Sequence, residues 1–439
     1  MRTGTTFRAF DRAAGPCRRR GPGRAARLLP AVLGLLAGCL DSKGIDPPTD
    51  RFFFPTGMAR TAGGRYLLVA NSNFDLKYNA GTVVAVDLAR VDAAIAECSG
   101  RCRQPRDETP FLAANGAAII GSQVTDLVMA PDGARAYATV RGNASLTWLD
   151  VDEAAADGGR VLSCFDDPSP GARRCDGRHE IIRTGGLWVP AEPYVLLALE
   201  DWVLTGHVDS GDVGLFDVAE GRAPTIVRVL TQFPEGVNGF ARHPTSDWLY
   251  VVSRASSRLY PFTVSMASRH AGEGPAVSSA PAIAVTSNNH GADCRSLVFS
   301  PDGTRAFVAN REPPSVVVFD STPRADGSPA STLLATIELG TGPSRLAVQP
   351  LPDGGYLVLA VCFNAEQLFV VDPALLAVVQ VLPTGVGPHV VVPDPDAHRA
   401  YLANFGESTV WVVDYDPRSS YYGQSVLSIG MPEIPSSND

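Results

Sequence analysis

Lysine is almost absent from the sequence. Lys43 and Lys77 are the only two in 439 residues, so arginine supplies nearly all of the positive charge. Acidic residues outnumber basic ones by 46 to 37, which gives a formal net charge of -9. A chain with this balance lacks the basic surface that binds phosphate backbones, so nucleic acid is excluded as a partner. Its 45% hydrophobic content excludes a disordered chain.

Cofactor motifs and long apolar runs are also missing. No Cys-x-x-Cys-His motif occurs, which excludes covalent c-type haem, and no cofactor is predicted. The apolar run at 28–36 is short and contains Pro30, whereas a membrane-spanning helix needs about 20 apolar residues. A permanent transmembrane helix is therefore excluded at this point. Glycine and proline are plentiful, at 42 and 35 residues, which predicts many short elements joined by turns.

The first 38 residues have the order of a secretory leader. Eight arginines and a single acid precede the apolar run, and Leu36-Ala37-Gly38-Cys39 follows it directly. This tetrapeptide resembles the bacterial lipobox, in which the cysteine is acylated and the leader removed. The resemblance implies a signal peptide over 1–38, a lipid on Cys39 and a short tether over 39–51. We therefore expect the bilayer to be a partner through the acylated Cys39.

Loss of the leader changes the charge of the chain. Without its eight arginines and one acid, 29 basic and 45 acidic residues remain, a net charge of -16. Anionic headgroups repel such a surface, so attachment is expected to come from the lipid. The expected location is the cell envelope. Leu40 follows Cys39 where some inner-membrane lipoproteins have aspartate, and by resemblance to these sorting rules the outer membrane is favoured over the inner.

An internal repeat indicates the fold. Each copy is a run of short β-branched and aromatic strands separated by Pro-Asp-Gly or Asn/Gly turns, and four strands per copy are typical of a propeller blade. The last strand, 425–429, ends where an eighth copy would start, which predicts blades that are each contiguous in sequence. The seven copies span residues 55–87, 124–150, 192–217, 239–264, 294–320, 342–372 and 387–414.

The strand end Tyr401-Leu402-Ala403-Asn404 resembles the motif that names the YVTN-type, or forty-residue-repeat, β-propellers. The resemblance covers about residues 52–431. It implies an all-β fold, a seven-bladed β-propeller whose four-stranded antiparallel blades surround a central channel. Insertions are expected at about 89–117 and 151–179, and a tail at 432–439. The aspartates that end the third strands, such as Asp87 and Asp414, recur at one repeat position and are interpreted as structural.

Six cysteines remain in the exported body after Cys17 leaves with the leader and Cys39 is acylated. An oxidising compartment favours disulfides. Closeness in sequence predicts pairing of Cys98 with Cys102 and of Cys164 with Cys175, each pair inside an insertion. The remaining Cys294 and Cys362 fall at one ring face in neighbouring blades, and we predict a disulfide between them.

Propeller ligands usually enter at the face formed by loops before the first strand and after the second strand of each blade. Residues expected there form a mixed polar rim with an aromatic loop over 71–80. The sequence favours a non-catalytic binding or scaffold module with a protein, peptide or glycan partner, and no catalytic residue is assigned. The candidate binding residues are Phe74, Asp75, Tyr78, Arg141, Glu192, His207, Asp209, His290, Arg295, Arg345 and His389.

The alternative is a lactonase-like or metal-dependent hydrolase with its site on the same face. Histidines and carboxylates brought together across blades could bind a divalent metal or act as general bases. The candidates for this reading are Glu192, His207, Asp209, His290, Asp293 and His389. No spacing between them fixes such a site, so no metal ligand is assigned.

Overall fold

The computed structural model describes residues 44–155, 159–165, 173–219, 222–265, 275–285, 293–330 and 332–432. Seven antiparallel sheets follow one another along the chain, and each forms one blade of a β-propeller. The predicted fold class is confirmed. The strands of blades 1 to 3 are Pro55–Arg60, Tyr66–Asn71, Gly81–Asp87 and Leu112–Ile120; Val124–Met129, Arg135–Val140, Ser145–Val151, Leu162–Ser163 and Glu180–Ile181; Pro193–Ala198, Trp202–His207, Val213–Asp217 and Thr225–Leu230.

The later blades are more regular, except blade 4, whose outermost position is filled by two short segments, as in blade 2. The strands of blades 4 to 7 are Val237–Arg242, Leu249–Ser253, Arg258–Val264, Val277–Ser279 and Ile283–Ala284; Cys294–Phe299, Arg305–Arg311, Pro314–Asp320 and Thr332–Glu338; Pro343–Pro350, Tyr356–Cys362, Gln367–Asp372 and Ala377–Pro383; Pro388–Asp394, Arg399–Asn404, Thr409–Asp414 and Ser425–Ile429. A small hairpin, Arg183–Thr184 with Leu187–Trp188, stands outside the blades.

The first strands form the inner wall of the ring. Each packs against the first strand of the next blade, and that of blade 7 packs against that of blade 1. Among the described residues every blade is built from consecutive strands, as the position of the last strand predicted. Side chains alternate between the two inter-blade layers: Val308 packs towards blade 4, whereas Phe307 and Ala309 pack towards blade 6. Both faces of the inner strands are therefore buried.

The insertion of blade 1 closes the ring at its outer edge. It contains the helix Leu88–Glu97 and a 3-10 turn, Thr109–Phe111. The backbone N–H of Cys102 donates to the carbonyl of Val426 at 2.8 Å, and Arg106 N–H donates to Ser428 O at 2.9 Å. Arg106 also forms an isolated parallel bridge with Ile429 in the last strand of blade 7. The insertion thus supplies the connection across the blade 7 to blade 1 seam that strand exchange would otherwise provide.

The recurrent aspartates at the ends of third strands have a local role. Each accepts a hydrogen bond on its carboxylate from the backbone N–H two residues later, which terminates the strand in an Asx turn. In blade 1 this bond caps the helix. The donors are the N–H groups of Ala89, Ala219, Thr322, Ala374 and Asp416, bonded to Asp87, Asp217, Asp320, Asp372 and Asp414.

Two of the three predicted disulfides are confirmed. Cys98 is bonded to Cys102 and Cys164 to Cys175. The predicted bond between Cys294 and Cys362 is wrong, because both are free, buried thiols. Cys294 packs in the layer between blades 4 and 5. Cys362 lies in the second strand of blade 6, two residues after Ala360, which packs in the layer between blades 5 and 6. Side chains two residues apart in a strand point to the same side, so Cys362 also faces the layer between blades 5 and 6. The two share a ring face, but blade 5 separates them.

Within the described part of the chain, no helix is long and apolar enough to cross a membrane.

Candidate functional site at the channel mouth

The seven first strands share one irregularity. In every blade the pairing with the second strand shifts around the second residue of the first strand, which forms a β-bulge. A bulge re-aims the side chain that it carries. All seven bulged residues line one cavity at the mouth of the channel: Thr56, Thr125, Tyr194, Asn238, Arg295, Ser344 and His389.

A second ring of residues comes from the position that follows or ends each second strand. Arginine occupies it in blades 2 and 5, as Arg141 and Arg311, and phenylalanine occupies it in blades 6 and 7, as Phe363 and Phe405. Together with the bulged residues, these side chains enclose a cavity of about 430 Å³. The cavity therefore has one cationic wall and one aromatic wall.

The aromatic wall lies where blades 6, 7 and 1 meet. The ring of Phe405 is 5.1 Å from that of Phe54 and 5.4 Å from that of Phe74. The rings of Phe363 and His389 are also close to that of Phe405, at centroid distances of 6.4 and 6.0 Å. Phe74 keeps 54% of its surface exposed. The loop after the second strand of blade 1 therefore contributes an open apolar edge to the mouth.

Three arginines of the cationic wall have carboxylate partners. Arg141 pairs with Glu192, with Nε 2.5 Å from Oε2. Arg295 pairs with Asp293, with Nε 2.5 Å from Oδ1. The third pair, Arg345 with Asp126, reaches from blade 6 to blade 2. These pairs fix the positions of three guanidinium groups that line the cavity.

Arg311 is different. Its Nε donates to the backbone carbonyl of Pro343 at 3.1 Å, and among the described residues no carboxylate lies within ion-pair distance of it. Burial and the nearby charge of Arg295 lower the pKa of Arg311, and the charge of Asp293 partly opposes them. Its guanidinium group nevertheless stays protonated, because an arginine pKa lies far above neutrality. Arg311 thus brings a positive charge to the cavity wall that an anionic ligand can neutralise.

His389 joins the two walls. Its Nδ1 lies 3.0 Å from the backbone carbonyl of Thr56, so this nitrogen must carry the proton and donate it to that carbonyl. Burial, followed by the positive charges of Arg345 and Arg311, lowers the pKa of His389 to about 4. The ring is therefore neutral near pH 7, with Nε2 as an unprotonated acceptor. An anion bound by the arginines would raise this pKa, because it would cancel the charges that lower it.

Five of the predicted binding residues meet in this cavity: Phe74, Arg141, Arg295, Arg345 and His389. Glu192 stands just behind it as the partner of Arg141. Asp75 is exposed and accepts the Lys77 backbone N–H, and Tyr78 packs its ring 5.3 Å from that of Phe53, so neither reaches the cavity. His290 lies outside the described residues.

His207 and Asp209 do not contribute to the cavity. His207 is fully buried, with Nε2 2.8 Å from Thr205 Oγ1 and Nδ1 3.0 Å from the carbonyl of Ala191. Burial lowers its pKa to about 4. Asp209 is exposed on the loop that follows. The buried His207 therefore has a structural role.

The described residues that line the cavity do not fit a divalent metal ion. Within the described residues, no three His, Cys, Asp or Glu side chains are grouped so that they could hold one. Of the cavity-lining side chains, His389 is the one strong metal ligand, and Arg311 and Arg345 would repel a cation there. An anion fits the same residues.

Sequence reasoning missed Phe54, Phe363 and Phe405 because it searched the rim for polar residues. The repeats show that these two phenylalanines occupy a position of the rim. Phe363 and Phe405 directly follow the second strands of blades 6 and 7, just as Arg141 directly follows the second strand of blade 2. The bulges were not visible in the sequence, because they depend on the register between paired strands.

No protein-family model matches the chain, and a comparison with curated proteins finds no match. Solved structures are similar in fold. Hydrazine synthase from Kuenenia stuttgartiensis aligns with a TM-score of 0.56 and 16% identity over 88% of this chain and 100% of that chain. A putative 6-phosphogluconolactonase from Bacteroides uniformis gives 0.53 and 16% over 87% and 98%. The periplasmic gluconolactonase of Pseudomonas aeruginosa gives 0.51 and 17% over 76% and 86%. At such identities the likeness is one of fold.

Proposed function

We propose that the protein is an exported, lipid-anchored hydrolase that opens anionic lactones at the mouth of its channel. The observation that carries this proposal is the position of His389 beside Arg311 and Arg345 in one cavity. Two of the solved structures with this fold bear lactonase names, which supports the same reaction class. The lipobox-like sequence at Cys39 supports the anchor.

His389 and Arg345 have different roles in the proposed reaction. Nε2 of His389 accepts a proton from water as its oxygen bonds to the lactone carbonyl carbon. Negative charge then develops on the carbonyl oxygen, where Arg345 stabilises it. The ring C–O bond breaks, and the leaving oxygen takes the proton back from the imidazolium. The product is an open hydroxy acid, and His389 returns to its neutral form.

The substrate's own anionic group is assigned to Arg311, since this arginine has no carboxylate partner among the described residues. Binding of that group also adjusts the base. A pKa of about 4 makes His389 a weak base in the empty cavity. Neutralisation of the arginine charges by the substrate moves this pKa towards the working pH, where general-base catalysis is most efficient.

The test compares 6-phosphogluconolactone with uncharged gluconolactone, with turnover measured as acid release above the spontaneous rate. We expect the phosphorylated lactone to be preferred and His389→Gln to reduce its turnover by a factor of about 100 or more. The control is Asp209→Asn, an exposed site outside the cavity, which should leave turnover unchanged. Full activity in His389→Gln would refute the assignment, and binding of 6-phosphogluconate without any turnover would identify a binding protein instead.

A further inference from the structure

A group of exposed apolar residues lies on one side of the mouth face. Ile45 and Leu76 are 65% and 58% exposed, and Phe74 is open as well. Val386, in the connection from blade 6 to blade 7, and Met431, just after the last strand, are also exposed. Connections from a fourth to a first strand lie at the mouth face, as do loops after second strands. All five therefore belong to the same face, around blades 7 and 1.

Contacts join the segments that carry Phe74, Val386 and Ile45. The ring of Phe74 packs against Phe405, and the backbone N–H of the following Gly406 donates to Val386 O at 2.9 Å. Phe54 N–H donates to Ser408 Oγ, which joins blade 1 to blade 7. Asn79 N–H donates to Ile45 O, which places the start of the described chain beside the aromatic loop. These contacts bring exposed apolar side chains of blades 7 and 1 into one region, and exposed apolar groups that cluster in this way mark interaction sites.

The proposed acylation site, Cys39, is close in sequence to the segment that borders this surface. The described chain begins at Gly44, five residues after Cys39. Five extended residues span at most about 18 Å. Asp46 is fixed to the mouth face by bonds from Asn79 and Arg174. An acyl group on Cys39 would therefore keep the mouth face close to the bilayer surface.

We propose that this face docks on the lipid bilayer, with Ile45, Phe74, Leu76, Val386 and Met431 in contact with its interfacial region. The cavity then opens beside the membrane, and its ligand is taken up at the bilayer surface. Apolar side chains gain free energy when they enter this region. The inference rests on the proposed acylation of Cys39 and is independent of the proposed hydrolysis.

The experiment uses the full-length lipidated protein, reconstituted in phosphatidylcholine vesicles. Leu76→Cys carries an environment-sensitive fluorophore, and the matched control is Leu375→Cys, which is 68% exposed on a third-to-fourth strand turn of the opposite ring face. The native Cys294 and Cys362 are buried, and burial raises the pKa of each thiol to about 12, so they escape labelling. Spin-labelled lipid then quenches fluorophores that touch the bilayer.

We expect the label at position 76 to shift to the blue and to lose most of its emission, and the label at 375 to keep both. Equal quenching at the two positions, quenching at 375 alone, or no quenching would overturn the proposal. Protein that fails to float with the vesicles would overturn it too, because the anchor would be absent. Lactone turnover is assayed separately in detergent, so failure of docking and failure of hydrolysis are distinguishable.

Discussion

Nη2 of Arg345 lies 3.5 Å from Oδ1 of Asp126, an ion pair that joins the inner strands of blades 6 and 2. These blades are not neighbours, so the pair spans the channel. Asp126 also accepts the backbone N–H groups of Leu196 and Leu127, at 3.0 and 3.1 Å. Burial raises the pKa of its carboxyl, and the charge of Arg345 opposes that effect. Arg345 therefore serves the ring as well as the cavity.

Loss of this pair should destabilise the ring. Arg345→Gln leaves the buried Asp126 without its counter-charge, which typically costs about 3 kcal/mol. Denaturant unfolding followed by tryptophan fluorescence measures the change. The control is Arg242→Gln, which breaks the exposed pair with Glu200 and should cost about 0–1 kcal/mol. Equal, small losses in both variants would show that the cross-channel pair adds nothing to stability.

Acid should destabilise the protein through His207. Its folded pKa is about 4, whereas the unfolded imidazole titrates near 6.5. Between these values the unfolded chain binds the extra proton, so stability falls as the pH falls from about 6.5 to 4, by up to roughly 3 kcal/mol. His207→Gln should reduce the dependence of the unfolding free energy on pH in this window, and the remainder is expected from His389, whose folded pKa is also about 4. An unchanged slope would contradict a buried, neutral His207.

Arg311 should determine the affinity for the anionic part of a ligand. Arg311→Gln removes one charge-assisted contact, worth about 1.5–3 kcal/mol, so binding of 6-phosphogluconate should weaken by a factor of about 10 to 100. Isothermal titration calorimetry gives the dissociation constant. Arg254→Gln, at an exposed position after the second strand of blade 4, is the matched control and should bind normally. Equal weakening in both variants would indicate a diffuse charge effect.

The Cys98–Cys102 disulfide should stabilise the seam of the ring. Replacement of both by serine frees the stretch that pairs with Val426 and Ser428. We expect faster hydrogen exchange at the backbone N–H groups of positions 102, 106 and 430. We also expect the free energy of unfolding to fall by about 2 kcal/mol. The double Cys164→Ser, Cys175→Ser variant lies in blade 2 and should leave exchange at the seam unchanged. Protection at the seam in both variants would show that the disulfide is dispensable for closure.

The thiol count should be two. The non-reduced body carries four cysteines in disulfides and two as buried thiols, Cys294 and Cys362. A thiol reagent should therefore find about two groups per chain in denaturant and essentially none in the folded protein. A count of zero after unfolding would restore the inter-blade disulfide that the structure excludes.

The ring can be predicted from the sequence pattern alone. Repeated strands and turns specify the seven blades, since a strand buried on both faces needs apolar residues at consecutive positions, as in Phe307, Val308 and Ala309. The sequence also predicted the two local disulfides, because closeness in the chain favours pairing of Cys98 with Cys102 and of Cys164 with Cys175. Each of these features depends on residues near one another in sequence, where pattern and proximity carry the information.

The site and the seam, in contrast, depend on contacts between distant parts of the chain. The bulge that turns His389 into the cavity depends on strand register, and its position beside Arg345 depends on how neighbouring blades pack. Cys294 and Cys362 share a ring face, yet the side chains lie on opposite sides of blade 5. Side-chain direction and closure of the ring arise from contacts between distant segments, and a repeat pattern cannot specify those contacts.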